Sequence, residues 1–125
     1  MFNFSGERPN NLGVKDGKLA TCPGTPNCVN SQATDDQSKI DALPNVAIAQ
    51  IKSVVEAMDG TTIIEETDSY LYAEFKSKLM GYVDDVEFYR DEANNAVQVR
   101  SASRLGKSDL GVNRKRVEEI RSKLK

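Results

Sequence analysis

Residues 61–104 hold four strand-like segments in a row, joined by connections too short to carry a crossover. Parallel neighbours need a connection of about a dozen residues, so these segments are expected to pair antiparallel, as a meander. The first, at 61–67, is TTIIEET, short and rich in β-branched side chains. The second, at 69–77, alternates: Leu71, Ala73 and Phe75 point one way, Tyr70, Tyr72, Glu74 and Lys76 the other. The third, at 82–90, puts Val86 and Phe88 on one face and Asp85, Glu87 and Tyr89 on the opposite one. The fourth, at 97–104, sends Val97 and Val99 inward and Arg100 and Arg104 outward. Asn94-Asn95 suits a two-residue primed hairpin turn between the last two, because Asn tolerates positive φ.

Helical periodicity flanks this block. Ala47, Ile48, Ile51, Val54, Val55 and Met58 recur at three- and four-residue steps, which predicts a helix over 44–58 with Pro44 in its first turn. Asp59-Gly60 follows, with Gly60 suited to a left-handed terminating position. A second helix is expected from Ser108 or Asp109, either of which can cap free backbone N–H groups, with Val117, Ile120 and Leu124 as its apolar stripe. Residues 1–43 show neither period and contain three of the four prolines, so they read as an extended arm lying over the domain formed by 44–125. The expected fold is therefore α+β. A four-stranded antiparallel sheet carries two helices on one face, and its other face meets solvent.

At 125 residues the chain has material for one core. No apolar run approaches the ~18 residues of a membrane span, and the first twenty residues lack the basic and apolar regions of a secretory signal. A soluble, cytoplasmic protein is expected, with an exported or thylakoid-lumen mature form as the alternative. Net charge is −2, but the 29 residues from Val97 onward carry nine Lys/Arg against three Asp/Glu, and the other 96 carry eight against sixteen. That asymmetry of +6 against −8 implies either an anionic partner or docking of the basic third onto the chain's own acidic strands. The basic residues are interleaved with Glu118 and Glu119 and form no recognised nucleic-acid motif. Histidine is absent, which excludes Ser-His-Asp and Cys-His catalysis within one chain.

Two groups of residues carry chemistry. On the outward face, a two-residue turn would set Asp85 opposite Arg104 and Tyr89 opposite Arg100, with Glu87 diagonally between the arginines. This is either a cross-strand charge ladder or a polar site with bidentate donors. On the inward face, Asp84, Ser101 and Ser103 continue the core-facing rows toward the second helix, where Asn113 and Arg116 are the natural partners. A buried network would result, or a pocket between sheet edge and helix start that takes a carboxylate or phosphate. Asp84 and Asp85 are consecutive in a strand and point apart, so they do not form a metal pair, and no metal or cofactor is expected. Separately, CPGTPNC places Cys22 and Cys28 within reach of a disulfide, and two reduced thiols are the competing reading.

CPGTPNCVNSQ, YLYAEFKSKLMGYVDDVEF and VRSASRLGKSDLGVNRKRVEEIR together resemble the domain-of-unknown-function 1499 family over roughly residues 19–124, and the opening GERPNNLGV further resembles its cyanobacterial members. Asn30 stands where the family's cysteine motif has serine, and Tyr72 where many relatives carry histidine. The family pattern falls on Ser77, Gly81, Tyr82, Asp84, Asp85, Glu87 and Phe88. It continues through Arg100, Ser101, Ser103, Arg104, Gly106, Asp109, Gly111, Asn113, Arg114 and Arg116. The resemblance implies a shared structural or binding site and brings no activity with it. The expectation is a small binding or accessory protein that recognises an anionic small molecule or an acidic protein segment through Arg100, Arg104, Asn113, Arg114 and Arg116. A carboxylate enzyme (Asp84, Asp85, Glu87), a cysteine enzyme, or a redox-responsive module governed by Cys22 and Cys28 stands as the alternative.

Overall fold

A computed structural model describes residues 5–78, 81–106 and 111–124. Among these, six strands and two α-helices follow in the order β1 (Cys28–Asn30), β2 (Leu43–Pro44), α1 (Ile48–Glu56), β3 (Thr61–Glu66), β4 (Tyr70–Lys76), β5 (Val83–Asp91), β6 (Ala96–Ser103) and α2 (Val112–Lys123). The sheet is antiparallel throughout, in the spatial order β1-β6-β5-β4-β3. The four-strand meander is thus its central part, and the arm adds two further strands. β1 and β2 share the outer edge of β6, Cys28 pairing with Ala102 and Leu43 with Val97. Strands of three and two residues are too short to show a period, which is why the arm read as irregular.

Pro44 lies in β2 opposite Ala96 and not in the first helical turn. An edge strand tolerates a residue without an N–H. The helix begins at Ile48 after Ala47, whose backbone is extended. Gly60 takes the expected positive φ of 79°, and a Cβ there would lie 2.2 Å from the Lys76 carbonyl oxygen. Ser108 and Asp109, expected as caps of α2, lie outside the described residues.

Strand parity places one apolar face against both helices. Leu71, Ala73, Phe75, Val86, Phe88, Val97 and Val99 pack with Ile48, Ile51 and Val55 of α1 and Val117 and Ile120 of α2. The opposite face is covered too, contrary to the expectation of solvent. The arm crosses it, and Leu12, Val14 and Leu19 pack on Tyr70, Tyr72 and Tyr89. An Asp-Gly turn anchors that crossing: Asp16 and Gly17 have φ of 53° and 75°, and Lys15 and Lys18 exchange backbone hydrogen bonds of 2.9 and 3.1 Å. This is the signature of a two-residue hairpin turn within the arm.

The β5–β6 register differs from the expected one by two residues. The last pair is Asp91 with Ala96, and the connection is a 3₁₀ turn over Glu92–Asn94 closed by Asn95 in the left-handed region. The Asp91 carboxylate accepts from the Asn94 N–H and stabilises this longer loop. Glu87 consequently faces Arg100 directly, and Asp85 faces Ala102. Because the side-chain period is two, a shift of two leaves every residue on its expected face.

Candidate functional site

The residues singled out from sequence do not form one corner. They divide into two clusters on opposite faces of the sheet, as the parity of the strands requires. On the helix face, α2 is pinned to the sheet end. Ser101 Oγ donates to Asn113 Oδ1 at 2.6 Å, and Asn113 Nδ2 donates to Ser103 Oγ at 2.9 Å and to the Asn27 carbonyl at 3.1 Å. Arg116 donates to Asn113 Oδ1 and, at 2.7 Å, to Asp84 Oδ2, while its guanidinium lies 4.8 Å from the centre of the Phe75 ring. Ser101 and Asn113 are fully buried. Every polar group named here has a partner, so the cluster is compatible with a packed interior.

On the arm face, Asp85 and Arg104 form a bidentate pair with distances of 2.9 and 2.8 Å. Tyr72 donates its hydroxyl to the same carboxylate, and Arg104 also reaches Glu74, which Arg8 of the arm clasps from outside at 2.7 Å. Burial lifts the Tyr72 hydroxyl far above the ordinary tyrosine range, and its bond to Asp85 adds to the shift. Burial alone would raise the Glu74 carboxyl, but hydrogen bonds from Arg8 and Arg104 outweigh it and leave the pKa below 4.5. Two residues along β5, Glu87 accepts from the Tyr70 hydroxyl and, at 2.7 Å, from the Gly13 N–H of the arm. Glu87 is fully buried, and that burial raises its pKa despite both hydrogen bonds and the nearby Arg100.

Arg100 and Arg114 behave differently from the other basic residues. Arg114 donates to the carbonyls of Lys39 and Gln37, away from both clusters, and so fastens the arm to α2. Arg100 is 5% exposed, and among the described residues no carboxylate lies within 4 Å of its guanidinium. Much of the charge asymmetry is therefore discharged inside the chain, with Arg104 and Arg116 spent on Asp85, Glu74 and Asp84.

Cys22 and Cys28 form a disulfide with Cα atoms 5.7 Å apart. Closing a loop of this length stabilises by about 2 kcal/mol in the chain-entropy account. Asn27, inside that loop, donates to the Gly106 carbonyl at 2.7 Å, and its own carbonyl accepts from the Ser103 N–H at 3.0 Å.

Beside the buried network an opening lies between the sheet end and α2, and the residues that shape it were not among those singled out from the sequence. A groove of about 580 Å³ lies there, bounded by Phe75, Tyr82, Val83, Leu105 and Val112 and floored by Asp84 and Arg116. Tyr82, Leu105 and Val112 are three of the four large apolar side chains that the described residues expose, at 42%, 39% and 45%. Leu105 and Val112 are apolar residues off the expected strand and helix patterns, and that was the available signal. Among the described residues, Lys76, Lys78 and Arg116 line the groove with Asp59 and Asp84, Lys78 paired to Asp59 and Arg116 to Asp84. Lys76 is exposed and, among the described residues, forms no ion pair.

Among the described residues no group of three or more His, Cys, Asp or Glu side chains could hold a metal ion, and no helix is long and apolar enough to cross a membrane. An antiparallel sheet enclosed by two helices and its own arm, with an open groove at one end, defines a small α+β domain. The chain belongs to the family described as Protein of unknown function (DUF1499), whose model matches residues 18–124. No curated protein and no solved structure matches it.

Proposed function

We propose that this protein binds an amphipathic anionic small molecule in the groove between the sheet end and α2. The observation that carries the reading is the convergence of Tyr82, Leu105 and Val112 on one cleft above the Asp84–Arg116 pair. Scattered apolar residues are ordinary on a surface, whereas a contiguous set lining a concavity beside a few polar groups is what a ligand site requires. Among the described lining residues cations outnumber carboxylates by one and Lys76 forms no ion pair, which favours an anionic end on the ligand. Arg100, Arg104 and Arg114 drop out of this site, because they lie on the arm face or hold the arm. The catalytic alternative has less support, since Asp84 and Asp85 are each engaged by an arginine and Glu87 is sealed under the arm. The Cys22–Cys28 disulfide supports an oxidising compartment over the cytoplasm.

Calorimetric titration with straight-chain alkyl carboxylates tests the proposal. Affinity is expected to rise about fourfold for each added methylene until the groove is filled. Val112→Asp, at an exposed position, should abolish binding while leaving the unfolding temperature close to wild type, and Lys76→Glu should weaken it. Absence of any chain-length dependence, or equal binding by Val112→Asp, would remove the basis of the reading.

A further inference from the structure

A second cavity, of about 190 Å³, lies at the same end of the sheet but on the arm face. Arg100 and Ala102 of β6 line it beside Cys28, with Pro9, Pro23 and the exposed carboxylate Glu7 of the arm at its edge. Arg100 is unusual among the buried charges here. Among the described residues its guanidinium makes a single hydrogen bond, a long one of 3.3 Å to the Thr21 carbonyl, and its buried Nε has no partner. Glu87 stands opposite in the strand register; its Oε2 is taken by Tyr70 and the Gly13 N–H, its buried Oε1 has no hydrogen-bond partner among the described residues, and no ion pair within 4 Å joins it to Arg100. Asp85, which also lines the cavity, is held on both oxygens by Arg104. Among the described residues the buried Arg100 Nε makes no hydrogen bond, and the guanidinium borders space large enough for several heavy atoms, so a donor is left over for an acceptor in that space.

We infer that the cavity beneath the arm is a binding site for a small oxyanion, a carboxylate or a phosphate, held by the Arg100 guanidinium. The site is separate from the groove and does not depend on the reading proposed for it. The planar fork of arginine suits both kinds of oxyanion, and Arg100 itself is 5% exposed, so charge-assisted hydrogen bonds to it retain their strength. Burial depresses the Arg100 pKa, and an anion at its donors would oppose that shift.

The test is a titration of the full-length, disulfide-intact protein, labelled with ¹⁵N-arginine, with inorganic phosphate and separately with acetate, using sodium chloride at matched ionic strength as control. The Arg100 Nε–Hε resonance, assigned by its loss in Arg100→Lys, should move saturably with one or both anions. The Arg114 and Arg121 resonances should show only the chloride-like drift. Saturation by phosphate alone or by acetate alone identifies which oxyanion the cavity takes. In Arg100→Gln the dissociation constant should rise roughly tenfold or more, whereas Val112→Asp should leave it unchanged. An Arg100 resonance that moves no more than the chloride control with either anion means the cavity holds water only, and the inference falls. Where Arg100→Lys does not fold, the resonance is assigned in wild-type protein by through-bond correlation to the Arg100 backbone amide, so failure of a variant to fold does not rescue the inference.

Discussion

The two faces of the sheet are both buried, by different chemistry. Against α1 and α2 lie Leu71, Ala73, Val86, Phe88, Val97 and Val99, all fully buried and apolar, with the Asp84–Ser101–Asn113–Arg116 cluster confined to one end. Against the arm lie Tyr70, Tyr72, Asp85, Glu87, Arg100 and Arg104, aromatic or charged and nearly all of them buried. The helix face is sealed by shape and apolar area, which hold in any orientation that excludes water. The arm face is sealed by directional hydrogen bonds, which hold only when the arm lies in one register. An apolar layer supplies most of the stability, while a buried polar layer costs desolvation and returns orientation. The first part of the arm combines both kinds of contact: Leu12, Val14 and Leu19 pack on the tyrosines, while Arg8 and the Gly13 N–H are oriented by the carboxylates of Glu74 and Glu87.

The largest effect should come from the helix face. Phe88→Ala removes a fully buried ring from the centre of the core and should lower unfolding free energy by about 3–5 kcal/mol, read from chemical denaturation. The loss should be global, with secondary structure and arm docking failing together. A smaller loss confined to the arm would mean that the layer beneath the helices is not the dominant core.

Arg104→Met should cost less, about 2–3 kcal/mol, because it strips Asp85 of its bidentate partner and leaves a 2%-exposed carboxylate with only Tyr72. Its character should differ as well. The substitution breaks the arm-face network while leaving the apolar layer intact, so residues 5–20 should become sensitive to limited proteolysis at denaturant concentrations where the sheet persists. Equal protection of the arm in the variant and the wild type would show that the charged layer does not place it.

This division also explains what could be read from the chain alone. The faces of β4, β5 and β6 follow from alternation, which a register shift of two residues cannot disturb. The register itself depends on turn length, and Asn94-Asn95 offered a two-residue turn where Asp91 captures the Asn94 N–H and makes a longer one. The partners of Asn113 and Arg116 were legible because inward polar residues at the sheet end must be satisfied by whatever packs on them. The arm's position was not, since β1 and β2 are held by edges and side chains far away in sequence. Arg8 with Glu74, Gly13 with Glu87 and Arg114 with Lys39 are each more than 60 residues apart. Asp16-Gly17 was a local turn signal within the arm that alternation elsewhere overshadowed. The groove went unseen for a related reason: Tyr82, Leu105 and Val112 belong to no shared period, and only the folded chain brings them together.

The smallest effect is also the sharpest comparison, because it separates two glutamates on the same face. Burial raises the pKa of Glu87 above its ordinary 4.5, while Glu74, less deeply buried and held by Arg8 and Arg104, is lowered. Glu87 therefore favours the folded state at low pH, and its contribution is lost as pH rises from about 4.5 through its folded-state pKa. Glu74 favours the folded state above about 4.5, and its contribution is lost as pH falls through its folded-state pKa. Glu87→Gln keeps an acceptor for Tyr70 and for the Gly13 N–H but cannot ionise, so the stability of wild type minus variant should fall with increasing pH. The same difference for Glu74→Gln should fall with decreasing pH. Denaturant midpoints measured across the acid-to-neutral range would give both curves. Two slopes of the same sign would mean that the arm shelters the carboxylates alike, and that Arg8 and Arg104 do not set Glu74 apart.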